Sequence, residues 1–126
     1  GYFDEDRGIV FMDKRKVLEI VKDYAEVVRE NFPVRKIILY GSHARETALA
    51  DSDIDVAVVL DRVEEDYLST GAMLFTLSRD IDLRIEPVLL EAGKDMSGFL
   101  EEINKTGEIV YSADENEKTA AGVKAN

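Results

Sequence analysis

The sequence predicts an α/β or α+β domain: a small mixed β-sheet covered by helices. Two observations carry this. Apolar residues recur at helical spacing over residues 13–31, whereas residues 34–40 and 54–60 are short, continuous, Val- and Ile-rich runs. The segments then follow one another as helix, strand, strand, helix, strand, helix, an order that lets helices cover one sheet.

Each element has its own signal. Asp13 can cap a first helix in which Val17, Ile20, Val21, Tyr24, Val27 and Val28 form one face; it should stop near Asn31, before Pro33. Val34 to Tyr40 is the first strand, and the adjacent Ile37, Ile38 and Leu39 suit burial on both faces. Gly41 ends it, and Ser42 to Thr47 is a short helix or turn. Ile54 to Leu60 is the second strand. Glu64 to Ser78 is a helix despite Gly71, with Leu68, Met73, Leu74, Phe75 and Leu77 as its core candidates. Ile81 to Leu90 is a third strand, and Pro87 within it favours an edge or a bulge. Ser97 to Lys105 is a short helix with Met96, Phe99, Leu100 and Ile103 on one face, stopped by Gly107. Glu108 to Tyr111 adds a short strand. The folded domain is expected over residues 12–111. Residues 1–11 carry no clear period and are expected to be a leader or a cloning remnant; residues 112–126 are polar and small, as in a disordered tail.

The chain has 126 residues, enough for one domain with a modest core. It has no cysteine, which removes disulfides, thiolate metal sites and cysteine nucleophiles together. No apolar run reaches the length of a membrane span and the start is acidic and polar, so a cytoplasmic setting is expected. The formal net charge of −11, with no dense basic stripe, argues against direct nucleic-acid binding and suits a basic partner protein. Such a surface accepts a polyanion such as ATP when cations bridge the two.

The informative stretch is IILYGSHARETALADSDIDVAVVL, residues 37–60. A buried strand runs into Gly41-Ser42, where glycine admits close backbone approach and serine offers a hydroxyl. Asp53 and Asp55 are two apart and should point to one side; side by side they repel unless cations lie between them. Mg²⁺ is bound by such carboxylates together with substrate phosphates. A bare Asp-x-Asp is most often a solvated strand face, but Asp55 opens directly into Val56-Ala57-Val58-Val59-Leu60, and a charge at the mouth of a core strand is costly. A further acid is available from the last strand, where Asp82, Arg84 and Glu86 should alternate onto one face and Leu83 and Ile85 onto the other. His43 is the only histidine and is expected to be a spacer or cap; Tyr40 is expected to be core or support.

These residues resemble the DNA polymerase β-like nucleotidyltransferase superfamily: a strand, Gly-Ser, a spacer, Asp-x-Asp in a second strand, and a third acid in a later one. Gly41-Ser42-His43-Ala44-Arg45 followed by Ser52-Asp53-Ile54-Asp55 is similar to its minimal nucleotidyltransferase branch, and the resemblance covers about Val34 to Leu90. It departs at Glu46, where that branch often has glycine, and its third acid is either Glu86, the preferred reading, or Asp82.

The resemblance implies the polymerase β palm fold and transfer of a nucleoside monophosphate, AMP from ATP in the first instance, to an acceptor hydroxyl. Two Mg²⁺ ions, roughly 4 Å apart, would clamp the attacking and leaving oxygens. Asp53 and Asp55 would hold both and Glu86 the catalytic one. Gly41, Ser42 and Arg45 would bind the nucleotide phosphates. Minimal nucleotidyltransferases are often paired with helical HEPN proteins in toxin–antitoxin modules, so the resemblance implies a HEPN-type partner whose tyrosine accepts AMP. Two alternatives stay open: a catalytically silent antitoxin or binding module, and a small-molecule, antibiotic-type transferase acting as a homodimer.

Overall fold

The computed structural model describes residues 2–4, 9–11, 13–45, 48–49, 51–95 and 97–113. In chain order these form β1 (Tyr2–Asp4), β2 (Ile9–Phe11), α1 (Lys14–Asn31), β3 (Val34–Tyr40), β4 (Ile54–Leu60), α2 (Tyr67–Arg79), β5 (Ile85–Glu91), α3 (Phe99–Thr106) and β6 (Glu108–Ser112). The main sheet has the order β5-β4-β3-β6. β3 is antiparallel to β4 and to β6, and β4 is parallel to β5. A parallel pair needs a long crossover, which α2 supplies. β1 and β2 pair antiparallel with each other, an element that the aperiodic start of the sequence did not announce.

Side-chain alternation divides the core in two. On one face Ile37, Leu39, Ile54, Val56, Val58, Leu60 and Ile85 meet Val17, Val21, Tyr24 and Val28 of α1 and Leu74 of α2. On the other, Ile38, Ala57 and Val59 meet Ile103 of α3, flanked by Tyr40, Leu90, Phe99 and Leu100. Both central strands are therefore buried on two sides, as their continuous apolar runs require. The Tyr24 hydroxyl donates to Leu74 O at 2.8 Å and ties α1 to α2; burial raises its pKa.

Carboxylate side chains accept from first-turn N–H groups at the starts of α1, α2 and α3. Asp13 accepts from Arg15 N at 2.9 Å, as the sequence suggested. Asp66 accepts from Ser69 N at 2.7 Å, so α2 begins at Tyr67 and not at Glu64. Asp95 accepts from Leu100 N and Glu101 N, both at 2.9 Å, and α3 begins at Phe99 and not at Ser97. The expected core of α2 is also corrected. Leu74 is buried and Leu77 packs half-buried against the core, but Leu68 is 86% exposed, and Met73 and Phe75 are 46% and 44% exposed. Those five apolar residues do not form one stripe; the inward stripe is Thr70, Leu74 and Ser78, at four-residue spacing. Ser78 can be buried because its hydroxyl donates to Phe75 O at 2.6 Å. Ser112, placed in the tail by the sequence, ends β6 and is buried. Residues 114–126, Glu46, Thr47, Met96 and Met12 lie outside the described residues.

The α3–β6 corner is the tightest glycine position away from the acids. A Cβ on Gly107 would lie 2.7 Å from Ile103 O and 2.8 Å from both Ile38 Cγ2 and Leu39 O. Gly107→Ala should lower stability by about 1–3 kcal/mol, the usual range for overpacking. A urea unfolding curve checks this, and an unchanged midpoint would contradict the packing described.

Candidate active site

The acids gather where β3 ends and β4 begins. After Tyr40 the chain turns at Gly41, and Arg45 N donates to Gly41 O at 3.2 Å, closing a turn over the described residues 41–45. A second turn follows at 49–52, in which Leu49 N donates to Ser52 Oγ at 3.0 Å and Ser52 N to Leu49 O at 3.1 Å. Asp53 lies just before β4, and Asp55 is its second residue. Asp55 is opposite Tyr40 on one side and Glu86 on the other. Neighbours in register share a face, so Asp55 and Glu86 project together on the α3 side of the sheet, in line with Ala57 and Val59.

Asp55 is the electrostatic centre. Burial raises its pKa; Asp53 and Glu86 raise it further, while His43 and Arg45 pull it down. All four therefore lie within electrostatic reach of one carboxylate. Gly41 has φ +78°, and a Cβ there would fall 2.4 Å from Asp55 Oδ2. The backbone of the serine-bearing turn thus passes directly beneath the Asp55 carboxylate, an approach open only to glycine. Tyr40 packs edge-on against Phe99, with ring centroids 5.4 Å apart, and burial followed by the Asp55 charge raises its pKa.

The two candidate third acids differ sharply. Glu86 is exposed and stands in register with Asp55. Asp82 is not in a strand: β5 starts at Ile85, and residues 81–84 form the turn after α2. The expected alternation of Asp82, Arg84 and Glu86 along one strand face does not occur, and Leu83 is 72% exposed. Arg79 holds that turn by donating to the carbonyls of Leu83 and Ile85. Arg84 holds Asp82 in a fork, Nε to Oδ1 at 2.9 Å and Nη2 to Oδ2 at 2.8 Å, which lowers the Asp82 pKa.

His43 and Lys14 are contributions that the sequence pattern did not reveal. His43 is 3% exposed, and its Nε2 lies 3.1 Å from Ser52 O. Lys14 Nζ donates to Ala44 O at 3.3 Å and pairs with Glu108 at 3.2 Å, tying the turn to α1 and β6. Neither carbonyl contact leaves a periodic trace, because each pairs a side chain with a loop backbone oxygen nine or thirty residues away.

The donor set suits a hard divalent cation: acidic oxygens from Asp53, Asp55 and Glu86, with the Asp55 pKa raised by burial first and by the neighbouring acids Asp53 and Glu86. Among the described residues no three such side chains already converge on one point. Asp53 and Glu86 are exposed, whereas Asp55 is half-buried. The 440 Å³ depression lined by Glu26, Arg29, Glu30, Phe32, Val34 and Tyr111 contains none of these acids.

The fold is that of a nucleotidyl-transfer domain, and sequence comparison agrees. The profile of the family described as "Polymerase beta, Nucleotidyltransferase" matches residues 22–116, and the chain belongs to that family. It is 46% identical over 56 residues, 42% of this chain, to a CCA-adding enzyme of Methanocaldococcus jannaschii, and 32% identical over 59 residues, 47% of this chain, to a protein of that organism provisionally named a protein adenylyltransferase. These matches span 12% and 57% of the two relatives' lengths. A provisionally assigned nucleotidyltransferase of Sulfolobus solfataricus shares the fold, with TM-score 0.62 and 22% identity over 80% of this chain and 85% of that one. So does a chain of the complex between a tri-AMPylated HEPN toxin of Shewanella oneidensis and its MNT antitoxin, with TM-score 0.55 and 16% identity over 85% and 79%. Among the described residues no helix is long and apolar enough to cross a membrane.

Proposed function

We propose that this chain transfers AMP from Mg²⁺-ATP to a protein hydroxyl, a tyrosine of a HEPN-type partner, and thereby acts as an antitoxin. The observation that carries this reading is the Asp55 carboxylate lying over Gly41 while Asp53 and Glu86 flank it. Metal-bound phosphate oxygens need the acids, and the phosphate tail needs the backbone and hydroxyl of the turn; here the two are in contact. The transferase unit of this proposal is residues 12–111, and its proposed setting is the cytoplasm.

In this reading Asp53, Asp55 and Glu86 would hold the Mg²⁺ ions, two by the family resemblance, which would supply charge neutralisation to the transfer. Gly41, Ser42 and Arg45 hold the nucleotide phosphates. The acceptor oxygen bonds the α-phosphorus as the bond to pyrophosphate breaks, and Glu86 takes the hydroxyl proton. Positioning and electrostatics supply most of the rate in such transfers. Two features support a protein acceptor: the likeness to the AMPylated toxin–antitoxin complex, and a net charge of −11 that complements a basic partner.

The test is to incubate the chain with Mg²⁺, ATP labelled on the α-phosphate and a basic HEPN-type protein, then to measure intact masses and map the modified residue. One AMP added to a partner tyrosine, abolished by EDTA, is the expected result. ATP and Mg²⁺ that bind calorimetrically without any transfer would replace the enzyme by a binding module.

A further inference from the structure

The two halves of the site are separate loops, and something must hold them in register. The Gly41–Arg45 turn bears the serine, while the 49–52 turn leads into Asp53. The two turns need a cross-link that does not depend on substrate. The geometry points to His43 as a positioning residue that clamps the serine-bearing turn to the turn preceding Asp53, through an Nε2–H bond to the Ser52 carbonyl. This rests on the transferase reading above for its effect on rate, but not for its structural content.

Three observations converge on this role. First, His43 is 3% exposed, in a loop whose neighbours Ser42 and Arg45 are more open, so its ring is packed inward and away from any ligand entering from solvent. Second, its ring nitrogen lies 3.1 Å from a backbone carbonyl nine residues away; a carbonyl can only accept, so Nε2 carries the hydrogen. Third, the acceptor belongs to the residue that closes its own turn through Leu49 N to Ser52 Oγ and Ser52 N to Leu49 O. Asp53 is the next residue, and Ile54 N then donates to Arg84 O at 2.7 Å. Displacing the Ser52 carbonyl therefore moves Asp53 against a strand already fixed at Ile54. A spacer would need neither the burial nor the bond.

The clamp predicts effects at two levels. His43 is the only histidine, so its ring resonances identify themselves. Nitrogen-correlated NMR of the wild-type chain should show the Nε2–H tautomer, with that proton slow to exchange. His43→Phe keeps a ring but has no donor, whereas His43→Gln keeps an N–H at similar reach. Amide hydrogen exchange over residues 41–45 and 51–54 should rise in His43→Phe and stay near wild type in His43→Gln. In the transfer assay His43→Phe should lower kcat by about 10–100-fold, the range for losing a residue that orients ligating groups, while KM for ATP changes far less. His43→Gln should recover most of the lost kcat. An Nδ1–H tautomer, a rapidly exchanging Nε2 proton, or His43→Gln as impaired as His43→Phe would overturn the clamp. The NMR and exchange arms stand without turnover. A chain that transfers no AMP but shows the protected Nε2–H removes the transferase reading and leaves the clamp, and the converse pattern removes only the clamp.

Discussion

Asp55→Asn should abolish AMP transfer, by on the order of 10³-fold or more, while the chain folds as before. That magnitude is at or above the upper end for removing one preorganised electrostatic contact, because this side chain is expected to touch the metals themselves. Asn has nearly the same volume, so the packing around Val56 and Ala57 is undisturbed. Stability should move the other way from activity. Burial first, and Asp53 next, raise the Asp55 pKa from its ordinary 3.8, so the folded chain binds this proton more tightly than the unfolded one does. Stability therefore falls as pH rises through the window between 3.8 and the raised value, and the penalty persists above it. In EDTA, the stability of Asp55→Asn relative to wild type should be near zero below that window, rise across it and remain positive at neutral pH. Mg²⁺ should raise the melting temperature of the wild type and leave that of the variant almost unchanged. Urea unfolding across pH, with and without Mg²⁺, measures both. Full transfer by the variant would remove Asp55 from the mechanism.

Much of this was legible in the sequence where one physical constraint dominates. β3 and β4 fall at residues 34–40 and 54–60, as expected, because runs such as Ile37-Ile38-Leu39 have no polar face to expose. Asp13 caps α1 because the cap and the apolar stripe coincide. Legibility ended where tertiary contacts decide. Arg79 and the Asp82–Arg84 fork keep residues 81–84 in a turn, so β5 starts four residues late and the polar alternation there never becomes a strand face. The choice between Glu86 and Asp82 depended on inter-strand register, which a single strand's pattern does not contain. In α2, Leu68, Met73 and Phe75 looked like core because they are apolar, but the Thr70–Leu74–Ser78 stripe faces inward, with Leu77 half-buried beside it. The bond from His43 to Ser52 joins two loops without periodicity, and the letters around it give no sign of it.

Gly41→Ala should cut transfer by about 10²-fold, the scale expected when catalytic groups shift by an ångström. Two separate penalties meet at this residue. Its φ of +78° is disfavoured for alanine by about 1–2 kcal/mol, and the new methyl would sit 2.4 Å from Asp55 Oδ2. Either the turn or the carboxylate must move. Gly93 separates the two effects: it has φ +81° and nothing within 4 Å of a built Cβ. Gly93→Ala should therefore show the backbone penalty alone, losing about 1–2 kcal/mol of stability with transfer intact. Gly41→Ala should lose more stability than Gly93→Ala, and transfer besides. Truncating Asp55 to Ala removes the atom that the methyl meets, so Gly41→Ala should cost less stability in an Asp55→Ala background than in wild type. Additive costs in that cycle, or a Gly41→Ala chain as active as Gly93→Ala, would mean that the turn and the carboxylate are not in contact. The arrangement from which the transfer chemistry is argued would then be absent.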